Sequence, residues 1–196
     1  MSENKLNVRD FINVGLFTAL LFVFEFGVGM LGFIHPFIVA SYVALIPLVS
    51  AIPMMLFYTK VEKFGMITMM AVILAIIMYF TGMGWLGAPM IISVGVIADL
   101  VAKTGKYKSA KMDTISFGIF SMWCSANFIP IVFTAKSYRE NLSKGNFSTD
   151  YIDGLFSYIN AKTLIPLIVA SFVFGCIGAI IGKKIIKKHF EKAGIA

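Results

Sequence analysis

Charged residues are scarce in this sequence, and their scarcity argues against a soluble fold. Only 14% of the 196 residues are charged, against about 25% in an average soluble domain. Hydrophobic residues make up 59% of the chain, and its mean hydropathy is +0.87. They form runs close to the ~20 residues that a helix needs to cross ~30 Å of hydrocarbon. The composition therefore indicates an integral membrane protein.

Motifs for catalysis and metal chemistry are also lacking. The sequence Gly178-Ala-Ile-Ile-Gly182-Lys183 has the wrong spacing for a phosphate-binding loop. Neither H-E-x-x-H nor G-x-S-x-G occurs, and the chain has only two histidines and two cysteines. We therefore expect no enzyme activity from the chain alone and no required cofactor. The net charge is +7, and the basic residues responsible for it flank the apolar runs. In that position they indicate membrane topology and not nucleic acid binding.

The apolar runs predict an all-α integral membrane protein, a six-transmembrane-helix bundle in a single membrane domain over residues 1–196. The predicted helices cover residues 10–31, 37–58, 64–81, 86–103, 113–135 and 161–183. Most Lys and Arg residues lie in segments on the same side of the membrane as the N-terminus. The two short loops on the opposite side of the membrane have none. The positive-inside rule then predicts a multi-pass protein of the cell membrane with both termini in the cytoplasm.

A long outer loop, residues 136–160, precedes the last predicted helix. Loops of this length are usually functional. Apolar residues within it follow near-helical spacing, at Ile152, Leu155, Phe156 and Ile159. We predict a partly helical lid over the outer face.

Two pairs of small residues four positions apart can let another helix approach closely. They are Gly15 with Ala19, and Ala71 with Ala75. Residues four apart share a helix face, and small side chains there favour helix association in lipid. Contact with a partner protein and packing within the chain both explain such a pair.

Two acidic residues lie within apolar runs. A carboxylate in a span is costly and usually faces a cavity or a partner. Glu25 lies in the outer half of the first helix, at a depth similar to that of Asn127 in the fifth. Glu25 could anchor a polar group of a ligand, or it could be protonated and hydrogen-bonded to a neighbouring helix. Asp99 precedes Lys103 by one helical turn, which predicts a local ion pair.

Aromatic and thioether side chains gather near the predicted outer face, around His35. The residues concerned are Met30, Phe33, Met83, Trp85 and Tyr158. An interfacial aromatic belt is one explanation. The other explanation is a pocket for a flat or apolar ligand. In such a pocket, His35 could donate a hydrogen bond to the ligand, stack on its ring or ligate a metal.

The chain resembles the substrate-binding S components of energy-coupling factor (ECF) transporters, and most closely their MptD or Trep-Strep branch. The resemblance rests on six predicted spans, both ends inside, a long outer loop before the last span, and the N-terminal sequence RDFINVGLFTALLFV. It implies an ABC importer in which a membrane T component and two cytosolic ATPases act on a micronutrient-binding subunit. The family's small-residue motif, which contacts the T component, falls on Gly15 and Ala19, with glycine replacing the usual first alanine.

The resemblance does not name the cargo. The weakly charged, aromatic outer face favours heme or another large, partly apolar ring, with His35 as a possible iron ligand. The alternative cargo is a small vitamin held by Glu25, Trp85 and Asn127. A stand-alone small-molecule carrier is the alternative from another functional class.

Overall fold

A computed structural model describes residues 5–83 and 85–189, and within those ranges every regular element is a helix. The α-helices of the N-terminal half are α1 (Val8–Leu31), α2 (Pro36–Ala40), α3 (Tyr42–Val49), α4 (Ala51–Tyr58), α5 (Met66–Met78) and α6 (Ala88–Thr104). Those that follow are α7 (Ala110–Ser121), α8 (Ile129–Phe133), α9 (Ala135–Lys144), α10 (Thr149–Tyr158) and α11 (Leu164–His189). A π-helical turn, Tyr79–Met83, follows α5, and a 3-10 segment, Met122–Phe128, joins α7 to α8.

Three helical segments in the described part are long and apolar enough to cross a membrane. They are Val8–Leu31, Ala110–Phe133 and Leu164–Lys188. They correspond to the first, fifth and sixth predicted spans. A shorter apolar helix, Met66–Thr81, corresponds to the third. The helical class is confirmed, while the count of six spans stays a prediction.

The second predicted span, residues 37–58, is divided into three helices in the structure. The chain breaks at Ser41 and again at Ser50, which separates α2, α3 and α4. Pro53 explains the second break, because its missing N–H cannot bond to the carbonyl of Val49 and its ring crowds that carbonyl. The Ser50 hydroxyl satisfies part of the local backbone by donating to the Ile46 carbonyl at 2.7 Å.

Capping and an ion pair fix the start of α1. Asn7 and Asp10 form a reciprocal capping box, in which each side chain accepts from the other's backbone N–H at 3.0 Å and 2.8 Å. Lys63 Nζ also lies 2.9 Å from Asp10 Oδ2. The connector between α4 and α5 is thereby tied to the first turn of α1.

Small residues bring the central helices close together. A Cβ built on Gly95 of α6 would lie 2.2 Å from the Cβ of Ala71 in α5, so only glycine allows this approach. Ala71 and Ala75 are both buried. On α11, Gly178 lies against the Pro47 carbonyl of α3 in the same way. The Ala71–Ala75 pair therefore serves packing within the chain.

The predicted lid is a helical hairpin formed by α9 and α10, and it is called the lid below. Apolar residues at the predicted helical spacing are buried on the inner side of the lid: Ile152, Leu155 and Ile159. Arg139 of α9 pairs with Asp153 of α10, which ties its two helices together. The lid packs on α2 and approaches the end of α1.

Candidate functional site

One face of α1 borders a cavity of about 330 Å³ near the lid. The residues of that face are Phe22, Glu25, Phe26, Gly29 and Met30. Their spacing of three and four positions puts them on one side of a helix. The second half of α1 therefore supplies one wall of the cavity.

The other walls come from distant parts of the chain. The 3-10 segment and α8 contribute Asn127, Phe128, Pro130 and Ile131, and the turn after α5 contributes Thr81. The lid covers the space with Tyr138, Leu142, Phe147, Tyr151 and Leu155. Most of these side chains are apolar or aromatic, with a few polar groups among them, which is the usual make-up of a small-molecule site.

Two buried polar atoms at this cavity have no hydrogen-bond partner. They are Oε2 of Glu25 and Oδ1 of Asn127. Each residue is only 6% exposed. Buried polar groups in native proteins are nearly always paired, so an unpaired one calls for an explanation such as an absent ligand. The two atoms identify this cavity as the candidate binding site.

Three of the hydroxyl groups around the cavity donate to the backbone. The Tyr42 hydroxyl donates to the Gly29 carbonyl at 2.7 Å, and the Thr81 hydroxyl donates to the Met78 carbonyl at 2.9 Å. The Tyr151 hydroxyl donates to Gly32 O at 2.7 Å. Burial raises the pKa of the Tyr151 phenol, which keeps it a hydrogen-bond donor.

Aromatic contacts hold the lid to the connector after α1. The rings of Phe33 and Phe147 stack with centroids 5.9 Å apart, and Phe147 lies 5.0 Å from Tyr151. Arg139 also lies over the Phe156 ring, with its Cζ 4.6 Å from the centroid. These contacts hold the lid closed over the cavity in this structure.

Half of the predicted substrate-binding residues meet at the cavity. Glu25, Met30, Phe33 and Asn127 line it. Trp85 does not, and its side chain is 68% exposed. Tyr158 also lies outside, with its ring edge-on to Phe37 at 5.5 Å. Met83 was predicted as well, and its side chain lies outside the described residues.

His35 lies outside the cavity lining and caps α2. Its Nδ1 accepts the backbone N–H of Phe37 at 3.1 Å. A neutral imidazole has one donor and one acceptor nitrogen, so Nε2 carries the proton in this arrangement. Iron ligation through Nε2 would require the cap to break or the ring to lose that proton. No group of three or more potential metal-ligating residues occurs within the described ranges.

Several lining residues were missed by the sequence reasoning. Phe22 and Phe26 were detectable, because Glu25 and Phe26 follow Phe22 by three and four positions and so share one face of α1 with it. Tyr138 and Leu142 were not, because their place depends on how the lid folds back. Tyr42 was not singled out either, because nothing in the second predicted span, residues 37–58, distinguishes it from its neighbours.

Asp99 does not form the predicted ion pair with Lys103. Its Oδ2 accepts from the backbone N–H of Gly65 and of Thr68, and from the Thr68 hydroxyl, at 2.8–3.0 Å. Its Oδ1 accepts from the Tyr107 hydroxyl at 3.2 Å. Lys103 instead lies over the Phe64 ring, 5.4 Å from its centroid. The carboxylate joins the start of α5 to α6, which sequence spacing alone could not reveal.

Comparison with known proteins gives one family. The model of Trep_Strep, described as a hypothetical bacterial integral membrane protein, matches residues 8–192. The chain belongs to the Trep_Strep family. No curated protein and no solved structure matches it. The Trep-Strep part of the resemblance is thus confirmed, together with an integral membrane character.

The Trep_Strep chain has a second feature on α1, in the half nearer the N-terminus. Gly15 and Ala19 are exposed, and a Cβ built on Gly15 meets no atom within 4 Å. Exposed apolar side chains surround them, among them Phe11, Ile12 and Leu16. In contrast to Ala71 and Ala75, this pair is open to another helix or to lipid.

Proposed function

We propose that this Trep_Strep protein is the substrate-binding S component of an ECF-type ABC importer. The observation that carries the proposal is the division of α1. One half exposes a seam of small residues, Gly15 and Ala19, and the other half forms the wall of a lidded cavity with two unpaired polar atoms. A subunit that both captures a solute and docks on a membrane partner requires these two features.

In the proposed complex, a T component packs on the seam and two cytosolic ATPases supply ATP hydrolysis. Small side chains let helix backbones approach closely, which stabilises helix pairs in lipid by van der Waals contact. The subunit is non-catalytic by itself. The basic segments favour a cytoplasmic position for both termini, and the proposal therefore has the lidded cavity open toward the outside of the cell.

The cavity favours a compact ring compound as cargo. Its volume of about 330 Å³ lies near the lower limit of the ~300–1,000 Å³ found for small-molecule sites. A small vitamin-like molecule is therefore the preferred cargo. Heme, the other candidate, would require the lid to open further and His35 to leave its capping position.

Co-purification tests the assignment. The tagged chain would be expressed with the T component and both ATPases, as wild type and as Gly15→Leu and Ala19→Leu. We expect both variants to lower complex yield by tenfold or more, because leucine holds the partner backbone away. Gly27→Leu is the matched control, since Gly27 is equally open on the same helix but lies beyond the seam.

Two results would contradict the proposal. Undiminished complex in both seam variants would remove the docking surface. Solute uptake by the chain alone in liposomes, without ATPases, would favour a stand-alone carrier.

A further inference from the structure

Both of the buried polar atoms that lack a partner at the cavity are oxygens. Oε2 of Glu25 and Oδ1 of Asn127 are unpaired. The hydroxyls of Tyr42, Thr81 and Tyr151 already donate to backbone carbonyls. An occupant that completes the site must therefore bring donors.

The charge around the cavity is also one-sided. Glu25 is the single acidic residue among those that line it, and no lysine, arginine or histidine lines it in the described part of the chain. A buried carboxylate without a counter-ion is unfavourable in an apolar site. A cationic occupant would supply both the missing counter-charge and the missing donors.

The walls are suited to a cationic ring. Aromatic side chains approach the space from α1, the 3-10 segment and the lid: Phe22, Phe26, Phe33, Phe128, Phe147 and Tyr151. Ring faces attract a cation placed within ~6 Å of their centroid, most strongly where water is excluded. They also pack well on a flat apolar ring.

We infer that the cavity binds a compact aromatic or heteroaromatic cation whose amine or amidine N–H groups donate to Glu25 and Asn127. This inference rests on the proposed function only for the statement that the occupant is the imported cargo. Anionic solutes such as carboxylates and phosphates are disfavoured, because they would place like charge beside Glu25 and leave both acceptors unpaired.

A matched series of probes tests the charge and the donors separately. Benzamidine is a cation with several N–H donors, benzamide is its neutral analogue, and benzoate is an anion with acceptors alone. Binding of each to the full-length chain purified in detergent would be measured by isothermal titration and by thermal shift. We expect benzamidine to bind most tightly, benzamide at least tenfold more weakly, and benzoate not at all.

Two variants assign the interaction to Glu25. Glu25→Gln keeps the shape of the side chain and removes its charge, so benzamidine affinity should fall at least tenfold while benzamide affinity changes little. Glu140→Gln is the control, because it is the same substitution on an exposed lid residue outside the cavity lining. Its affinity for benzamidine should equal that of wild type.

The inference is overturned if wild type does not bind benzamidine, if benzoate binds as tightly, or if Glu25→Gln binds benzamidine unchanged. Failure of the proposed function has a different signature. Loss of benzamidine binding with a normal complex yield rejects the cationic cargo alone. Normal benzamidine binding with no complex formation rejects the S-component assignment alone.

Discussion

Asp99 and Glu25 are both buried carboxylates within apolar helices, yet their surroundings are opposite. Asp99 is fully buried and accepts four hydrogen bonds, two of them from backbone N–H groups at the start of α5. Glu25 is almost as buried, and one of its oxygens has no partner. Burial alone thus does not distinguish the two carboxylates, whereas the number of hydrogen-bond donors around each one does.

The two small-residue pairs follow the same division. Ala71 and Ala75 are buried, with Gly95 tight against Ala71. Gly15 and Ala19 are exposed, with open space beside Gly15. In each comparison one member is satisfied by contacts within the chain, and the other lacks such contacts among the described residues.

The largest expected effect comes from the matched substitutions Asp99→Asn and Glu25→Gln. An amide at position 99 turns one acceptor into a donor that faces Gly65 N–H, Thr68 or Tyr107, so roughly 3 kcal/mol of folding free energy should be lost. Glu25→Gln should not lower stability, since its amide can donate to the unpaired Asn127 oxygen. Chemical denaturation in detergent measures both.

The distinction between the two carboxylates is wrong if Glu25→Gln destabilises the chain as much as Asp99→Asn does. Glu25 would then be a structural residue whose partner the donor count fails to show. Glu140→Gln, an exposed carboxylate, sets the baseline for a change with no structural consequence.

A smaller effect is expected from Gly95→Ala compared with Gly15→Ala. The added methyl at position 95 meets Ala71 at 2.2 Å, so α5 and α6 must separate, at a cost of about 2 kcal/mol. At position 15 the same methyl meets nothing within the chain, and alanine favours the helix. Thermal unfolding of the two purified variants would show a lower midpoint for Gly95→Ala only.

An equal loss of stability in Gly15→Ala would mean that the exposed seam is packed by the chain itself. The contrast between the two pairs of small residues would then disappear, and with it the reason for placing a partner on Gly15 and Ala19.

The sequence predicted the helical membrane class, the helical lid and the two central polar residues of the cavity. These follow from short-range spacing and from the cost of a carboxylate in an apolar run. It could not predict that Asp99 accepts from Gly65 and Thr68, because these residues lie more than 30 positions earlier in the chain. It also placed Trp85 and Tyr158 at the pocket, because nearness to a predicted membrane face does not say where a side chain points.

Loss of one lid contact should have a moderate effect. Tyr151→Phe removes the hydrogen bond to the Gly32 carbonyl, worth about 1 kcal/mol, and keeps the ring stacked near Phe147. Amide hydrogen exchange in α10 should become several-fold faster, with little change in α5 and α6. This would show that the lid opens independently of the bundle.

Tyr158→Phe is the control for that experiment, since Tyr158 is partly exposed and lies outside the cavity lining. If Tyr151→Phe instead speeds exchange throughout the bundle, the lid and the bundle open as one unit, and a separately opening lid is wrong.

The smallest effect is expected from His35→Ala, and it decides between the two cargo classes. Alanine removes the side-chain acceptor for Phe37 N–H and should lower stability by about 0.5–1 kcal/mol, the usual loss for a helix N-cap. Benzamidine binding should be unchanged, because His35 lies outside the cavity lining. Heme titration also distinguishes between heme and a compact cargo. A Soret shift that occurs in wild type and is abolished by His35→Ala would establish His35 as an iron ligand and reject a compact cargo. A wild-type spectrum identical to that of free heme would leave His35 with its capping role and favour the carboxylate-lined cavity as the binding site.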